Sequence, residues 1–145
     1  MIRFVIIRTY VAIALTCSLV GCGGNDREKL VVHGTVEFNG TALAHALVRF
    51  VPKDNPDLGT AQATTDANGN FTIQPDANKN NRLRPGKFIV LISKIVQTDP
   101  EGGMGTPTEN LVPAHYNVQA ETPLGADLEF GDNRLAPFQL VAEKK

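Results

Sequence analysis

The segment KFIVLISKIV, residues 87–96, is the strongest fold signal in this 145-residue chain. Its apolar residues, many of them β-branched, occur at both odd and even positions, a pattern that suits a strand buried on both faces or central in a sandwich. Pro85 and Gly86 stand directly before the segment and argue against a helix. We therefore expect residues 87–96 to form a buried strand of an all-β domain.

Shorter segments with period-two alternation precede this strand. In residues 30–38, Val32 and Val36 fall on one face, while His33 and Thr35 fall on the other. This alternation predicts a half-buried strand with its polar face toward solvent.

A tight turn and a second strand are predicted next. Asn39 and Gly40 favour a turn because both residues tolerate a positive φ. In the following ALVRFVP segment, Val48 and Phe50 share a face, and Pro52 ends the pattern because proline cannot donate to a β-ladder.

The DANGN sequence at residues 66–70 lies between two further strand-like segments, 60–65 and 70–74, which we interpret as a hairpin. Its alternating Asp and Asn residues are similar to the opening of a calcium-binding EF-hand loop. However, the glycine is at the fourth position rather than the sixth, and Ala77 stands where that loop has its glutamate. We favour a turn in which Asp66 accepts backbone hydrogen bonds and Gly69 takes a positive φ.

The C-terminal part carries weaker strand signals. A long Gly- and Pro-rich loop, QTDPEGGMGTPTEN, follows the central strand, and GADLEF and APFQLVA form two strands separated by GDNR. About seven short strands with turns between them predict one antiparallel β-sandwich domain over residues 30–145.

The N-terminal residues predict export. Arg3 and Arg8 precede an uncharged run over residues 9–25, whose apolar part has the length of a secretory signal and is shorter than the ~20 residues of a spanning helix. Leu19-Val20-Gly21-Cys22 resembles the lipobox of bacterial lipoproteins, in which the cysteine is acylated and becomes the first residue of the mature chain. The alternative is an ordinary cleaved signal peptide.

This resemblance implies a signal peptide at 1–21, a lipidated tether at 22–29 and a membrane anchor through lipid on Cys22. The location would be the cell envelope, facing the periplasm or the exterior. Without Arg3 and Arg8, the chain has 12 basic and 15 acidic residues and a net charge of −3. Because no basic block is left, nucleic acid is not expected as a partner.

The residue inventory limits the chemistry. Cys17 lies in the predicted signal and no cysteine follows Cys22, so we expect no disulfide and no thiolate metal site. The histidines, His33, His45 and His115, lack a paired ligand spacing, and Ser93 is the one serine after the signal, without a nucleophile-elbow motif. We therefore expect no cofactor, no metal and no enzymatic activity.

The loop over residues 97–117 is the main candidate for binding, with residues 75–85 as a second. Within it, Met104, His115 and Tyr116 are the possible ligand residues. An exposed Tyr116 could stack on a sugar ring, but we favour a Tyr116 that fills the open end of the sandwich.

Five segments in order resemble one family: VHGTVEFNGTALAHALVRFVP, TTDANGNFTI, RPGKFIVLISK, LVPAHYN and PFQL. They are similar to small lipoproteins of planctomycete-type bacteria that carry a carboxypeptidase-regulatory-like, transthyretin-like domain. The resemblance implies an immunoglobulin-like β-sandwich outside the cytoplasm with no established enzymatic role. Transthyretin-like hydrolases end in a Y-R-G-S signature, whereas this chain ends in VAEKK.

The sequence thus favours a non-enzymatic, lipid-anchored protein that binds or scaffolds, with an envelope protein or a polysaccharide as its partner. A carbohydrate-binding module is the first alternative. The second is an envelope hydrolase, which would need a concave pocket that gathers His115 with carboxylates.

Overall fold

The computed structural model describes residues 29–74, 83–99, 101, 103 and 105–142. Two larger β-sheets and a separate two-stranded sheet in these residues confirm the predicted all-β sandwich. The described part contains eleven strands rather than about seven, because several have only two or three residues and leave no periodic signal. The strands are β1 (Leu30–Phe38), β2 (Thr41–Ala42), β3 (Leu47–Pro52), β4 (Ala61–Thr64), β5 (Asn70–Ile73), β6 (Gly86–Ser93), β7 (Ile95–Gln97), β8 (Thr108–Asn110), β9 (Gly125–Leu128), β10 (Gly131–Arg134) and β11 (Phe138–Leu140).

Helical structure in the same residues is limited to two short 3₁₀ helices, Pro56–Leu58 and Ala114–Asn117. Neither they nor any other described segment is a helix long and apolar enough to cross a membrane. The predicted signal at 1–21, Cys22, Met104 and most of the 75–85 loop lie outside the described residues.

Strand β1 is the centre of the first sheet. On one side it pairs antiparallel with β5 and β2, and on the other it pairs parallel with β10 and then β11. The GDNR segment is therefore strand β10, and our expectation that it only separates two strands was wrong. Its polar residues carry no apolar alternation, because the segment joins the sheet through its backbone and presents polar side chains outward.

The second sheet has the order β4-β3-β6-β9, with antiparallel pairing throughout. Strand β6 lies between β3 and β9, as its apolar sequence predicts, and its residues Val90–Ser93 are all buried. The predicted strand over 87–96 is interrupted at Lys94. The Asn110 side-chain oxygen accepts a hydrogen bond from the Lys94 backbone N–H (2.9 Å), and the separate β7–β8 hairpin begins there.

The predicted hairpin between residues 60–65 and 70–74 is wrong. Strand β4 pairs with β3 in the second sheet, whereas β5 pairs with β1 in the first. The connection between them therefore carries the chain from one sheet to the other. Phe71 and Ile73 do share a buried face, as predicted, but that face packs across the sandwich.

Aromatic rings fill the space between the sheets. Phe50 from the second sheet has no exposed surface, and its ring centroid is 6.1 Å from that of Phe71 and 6.3 Å from that of Phe88. Phe71 also lies over Gly34 of β1, where an added Cβ would come within 2.5 Å of the ring. The glycine in the buried face of β1 thus makes room for an aromatic side chain from the neighbouring strand.

A buried threonine fixes the segment that enters β3. The Thr65 hydroxyl donates to the Leu43 carbonyl (2.6 Å) and accepts from the Ala46 N–H (2.9 Å). Between these residues His45 has a φ of 55°, a left-handed conformation that is unusual for a non-glycine residue. Because the buried Thr65 side chain satisfies backbone groups on both sides of His45, it fixes the conformation of this bend.

The turn interpretation of DANGN is confirmed. One Asp66 carboxylate oxygen accepts from the backbone N–H groups of Asn68 (2.8 Å) and Asn70 (2.9 Å), and Gly69 has a φ of 75°. These hydrogen bonds lower the pKa of Asp66 below its ordinary value of 3.8, and the bond from the Asn70 backbone N–H has the largest effect.

This turn predicts a pH-dependent contribution to stability. Because the folded-state pKa is depressed, ionised Asp66 stabilises the fold above the unfolded-state pKa, and this stabilisation is lost as the pH falls through the lower folded-state value. We expect Asp66→Asn to have a lower urea midpoint than the wild type at neutral pH, and the difference to narrow below about pH 4. Asp54→Asn, which changes an exposed loop carboxylate, is the control. A difference that stayed constant down to about pH 2 would contradict this role of Asp66.

Candidate functional site

Tyr116 lies inside the sandwich. It belongs to the 3₁₀ helix Ala114–Asn117, and only 4% of its surface is exposed. Its hydroxyl accepts a hydrogen bond from the Val141 backbone N–H (3.2 Å), which satisfies its polar atom at the end of the core. The interpretation that Tyr116 fills the end of the sandwich is confirmed, and its possible use as a stacking surface for sugars is ruled out by burial.

Of the other two predicted ligand residues, the structure describes only His115. His115 is half-buried and packs its ring against Tyr116, with the two centroids 4.0 Å apart. Met104 lies outside the described residues. Within the part of the chain that the structure describes, no group of three or more His, Cys, Asp or Glu side chains could hold a metal ion.

A shallow groove of about 360 Å³ instead opens on the outer face of the first sheet. It lies beside residues 135–137, which connect β10 to β11 and do not pair with β1 as a strand. At the start of this connection, the Leu135 N–H donates a hydrogen bond to the His33 carbonyl (2.9 Å). The groove is lined by His33, Gly34, Thr35, Asn70, Phe71, Thr72, Arg134 and Leu135.

A chain of polar contacts crosses the strands beside this groove. His33 Nδ1 is 3.0 Å from Thr72 Oγ1 on β5, and His33 Nε2 is 3.2 Å from Asp132 Oδ1 on β10. The second Asp132 oxygen is 3.3 Å from both Nε and Nη2 of Arg134. The His33 side chain is 38% exposed and the Arg134 side chain is 80% exposed, so the guanidinium projects into solvent at the rim.

Neutral hydrogen-bonding groups continue the groove along β1 and β5. The Thr35 hydroxyl donates to the Asn70 side-chain oxygen (2.9 Å). Because Thr35 and Asn70 are directly opposite each other in the β1–β5 register, the pleat of the sheet fixes their spacing. The groove thus presents two hydroxyls, an amide, an imidazole and a guanidinium from rigid strands.

The contacts of Thr72, His33 and Asp132 place a hydroxyl, an imidazole and a carboxylate in the order used by nucleophilic hydrolases. However, half of the Asp132 side chain is exposed, and the groove is open to solvent. Water competes for each of these hydrogen bonds, and an exposed ion pair contributes only about 0–1 kcal/mol. The arrangement is therefore better suited to hydrogen-bonding a ligand than to activating a nucleophile.

Sequence reasoning placed His33 on the polar face of its strand but did not identify the groove. Its residues come from three segments that are about 40 and 100 residues apart in the chain, and only the strand pairing brings them together. The available signal was the outward alternation of His33 and Thr35 in β1 and of Thr72 in β5. The same alternation is typical of any strand face that is exposed to solvent, so it does not distinguish a groove from ordinary protein surface.

Comparisons with known proteins give no family assignment. No family model matches the chain, and no curated protein matches it. Among solved structures, it is similar to a 9R-lipoxygenase from Cyanothece PCC8801 (11% identity, TM-score 0.41) and a chlorocatechol 1,2-dioxygenase from Pseudomonas putida (14%, 0.38). A third is the dioxygenase domain of a dioxygenase and carbohydrate-binding protein fusion from Streptomyces sp. SirexAA-E (15%, 0.32).

These alignments cover 92%, 83% and 81% of this chain, and 18%, 62% and 81% of the three proteins, respectively. The chain therefore spans less than a fifth of the lipoxygenase and less than two thirds of the first dioxygenase. At these TM-scores and identities the likeness carries no inference about activity.

Proposed function

We propose that this chain is a lipid-anchored protein of the cell envelope whose β-sandwich acts without catalysis, by binding a partner through the groove on the first sheet. The observation that carries the binding role is the set of hydrogen-bonded side chains that β1, β5 and β10 hold around this concave surface. Convergent polar groups on a rigid scaffold are the usual basis of ligand recognition. The anchoring role is supported by the sequence Leu19–Cys22 and its resemblance to a lipobox.

A polysaccharide is the partner class that the neutral part of the groove favours. Thr35, Asn70 and Thr72 supply hydroxyl and amide groups that both donate and accept, which matches the hydroxyl groups of a sugar. An envelope protein is the other candidate, with Arg134 as its charged contact at the rim. The experiment below separates these two partners.

The anchor is tested by fractionating cells that produce the full chain. We expect the wild type to sediment with membranes and to carry acyl chains on the N-terminal Cys22, as measured by mass spectrometry. Cys22→Ala is expected to be unacylated and to leave the membrane fraction. An unacylated wild-type chain that starts at another residue would contradict the anchor.

The groove is tested by co-sedimentation of the detergent-solubilised protein with lipid-extracted envelope fragments. We expect Asn70→Ala and Arg134→Ala to bind roughly tenfold more weakly than the wild type, because each loses hydrogen bonds of about 1–2 kcal/mol. Thr64→Ala, an exposed change on β4 in the other sheet, is the control and should bind normally. Protease treatment of the fragments abolishes binding of a protein partner and leaves binding of a polysaccharide intact. Equal binding by all variants would contradict a role for the groove.

A further inference from the structure

The anchor and the fold together define two ends of the sandwich. The described chain begins at Lys29, directly before β1, and the Lys29 carbonyl accepts a hydrogen bond from the Gly131 N–H (2.7 Å). Lys29 is seven residues after Cys22, so the chain between them spans at most about 25 Å even when fully extended. Strand β1 has nine residues and is about 30 Å long, so one end of the domain is close to the anchor and the other is far from it.

The end of the sandwich beside Leu30, which we call the near end, is closed by the connection from β9 to β10. Leu128 at the end of β9 pairs with Gly86 in the second sheet, and Gly131 at the start of β10 pairs with Leu30 in the first. Glu129 and Phe130 therefore cross from one sheet to the other directly beside the point where the tether leaves the domain.

Phe130 is exposed at this crossing. It retains 55% of its surface, although a phenylalanine of a water-soluble domain is usually well covered. Of the other large exposed apolar residues in the described part, Ile95, Leu111 and Val141 lie toward the opposite end. Val118 lies in the segment before β9, and the first residue of β9, Gly125, pairs with Ile89 in the middle of β6. Phe130 is thus the one such side chain at the near end of the described structure.

The turn that carries Phe130 is held rigidly by Asn133. The Asn133 side-chain oxygen accepts from the Glu129 N–H (2.9 Å), and its amide donates to the Glu129 carbonyl (2.8 Å) and to the Val31 carbonyl (3.1 Å). Gly131 has a φ of 104°, which allows the chain to bend immediately after Phe130. An exposed aromatic ring on a braced turn can bind a surface with little loss of conformational entropy.

We propose that the near end contacts the bilayer to which Cys22 is anchored, with Phe130 inserted at the level of the lipid headgroups. This inference rests on the proposed lipid anchor. The charged residues at the near end have both signs, among them Lys53, Asp54, Asp57 and Arg84. They give no basic patch that would attract anionic lipid, so the proposed membrane contact depends on the apolar Phe130 side chain. The opposite end, with the β7–β8 hairpin, then points away from the membrane.

The chain contains no tryptophan, so a single introduced tryptophan reports its own position. The acylated full chain is reconstituted into phosphatidylcholine vesicles with and without brominated acyl chains, and flotation first establishes that it is bound. We expect Phe130→Trp to lose fluorescence in brominated vesicles and to shift its emission to shorter wavelength. Ile95→Trp, at an apolar position of the far end that is slightly more exposed than Phe130, is expected to show neither change.

A second reporter, Glu129→Trp, keeps the test valid if Phe130→Trp misfolds, because the Glu129 contacts with Asn133 use only its backbone. Flotation without quenching of either near-end reporter overturns the contact and leaves the anchor intact. Equal quenching at Ile95→Trp also overturns it, because the domain would then have no preferred end. A wild-type chain that does not float overturns the anchor and this contact with it.

Discussion

Phe50→Ala is expected to lower the free energy of unfolding by about 3–5 kcal/mol, the range for truncating a fully buried aromatic side chain. Phe50 has no exposed surface and contacts rings from both sheets, Phe88 beside it and Phe71 across the core. Neither ring can move to fill the space without losing its own packing, so a cavity is left. A small domain has a total stability of only about 5–15 kcal/mol, so this loss is a large fraction of it.

Urea denaturation followed by far-UV circular dichroism measures the change. Phe130→Ala is the matched control, because the same atoms are removed from a side chain that is 55% exposed. We expect the control to change stability by less than about 0.5 kcal/mol. Similar losses in both variants would show that Phe50 does not pack as the centre of the core.

Gly69→Ala is expected to have the second-largest effect, a loss of about 3 kcal/mol from backbone strain and overpacking together. Gly69 has a φ of 75°, and a Cβ at this position would lie 2.6 Å from the Val36 carbonyl oxygen. That oxygen already accepts a hydrogen bond from the Leu43 N–H (2.9 Å), and the Val36 N–H donates to the Gly69 carbonyl (2.8 Å). Because both the N–H and the carbonyl of Val36 are hydrogen-bonded, moving Val36 away from the added methyl group would strain both bonds.

Gly40→Ala separates the effect of backbone strain from that of overpacking. Gly40 has a similar φ of 80°, but nothing lies within 4 Å of its added Cβ. It should therefore lose only the conformational part, about 1–2 kcal/mol. The difference between the two urea midpoints measures the collision at Gly69, and equal losses would show that the β1 backbone yields at Val36.

Local features of the fold were predictable from the sequence. The alternation in β1 and β3, the Asn39-Gly40 turn and the burial of β6 depend on residues within a few positions of each other. Asn39 and Gly40 do have positive φ values of 51° and 80°, and β1 and β2 pair across them.

The partners of each strand were not predictable in the same way. Strands β4 and β5 are separated by a turn sequence typical of hairpins, yet Phe71 packs over Gly34 and draws β5 to the first sheet. Strand β10 has no apolar pattern, and its place beside β1 depends on backbone pairing with a segment about 100 residues away. The groove was not predictable for the same reason, because His33, Thr72 and Arg134 come together only when β1 has paired with both β5 and β10.

The parallel pairing of β1 with β10 and β11 also determines when the domain can fold. On one side, the first strand has its partners in the last strands of the described chain, so we expect the first sheet to form late and slowly because its contacts are far apart in sequence. A nascent or truncated chain that lacks those strands presents a row of unpaired backbone groups on β1, next to apolar side chains. The export that we propose for this chain would therefore require it to stay unfolded until its C-terminal strands have crossed the membrane.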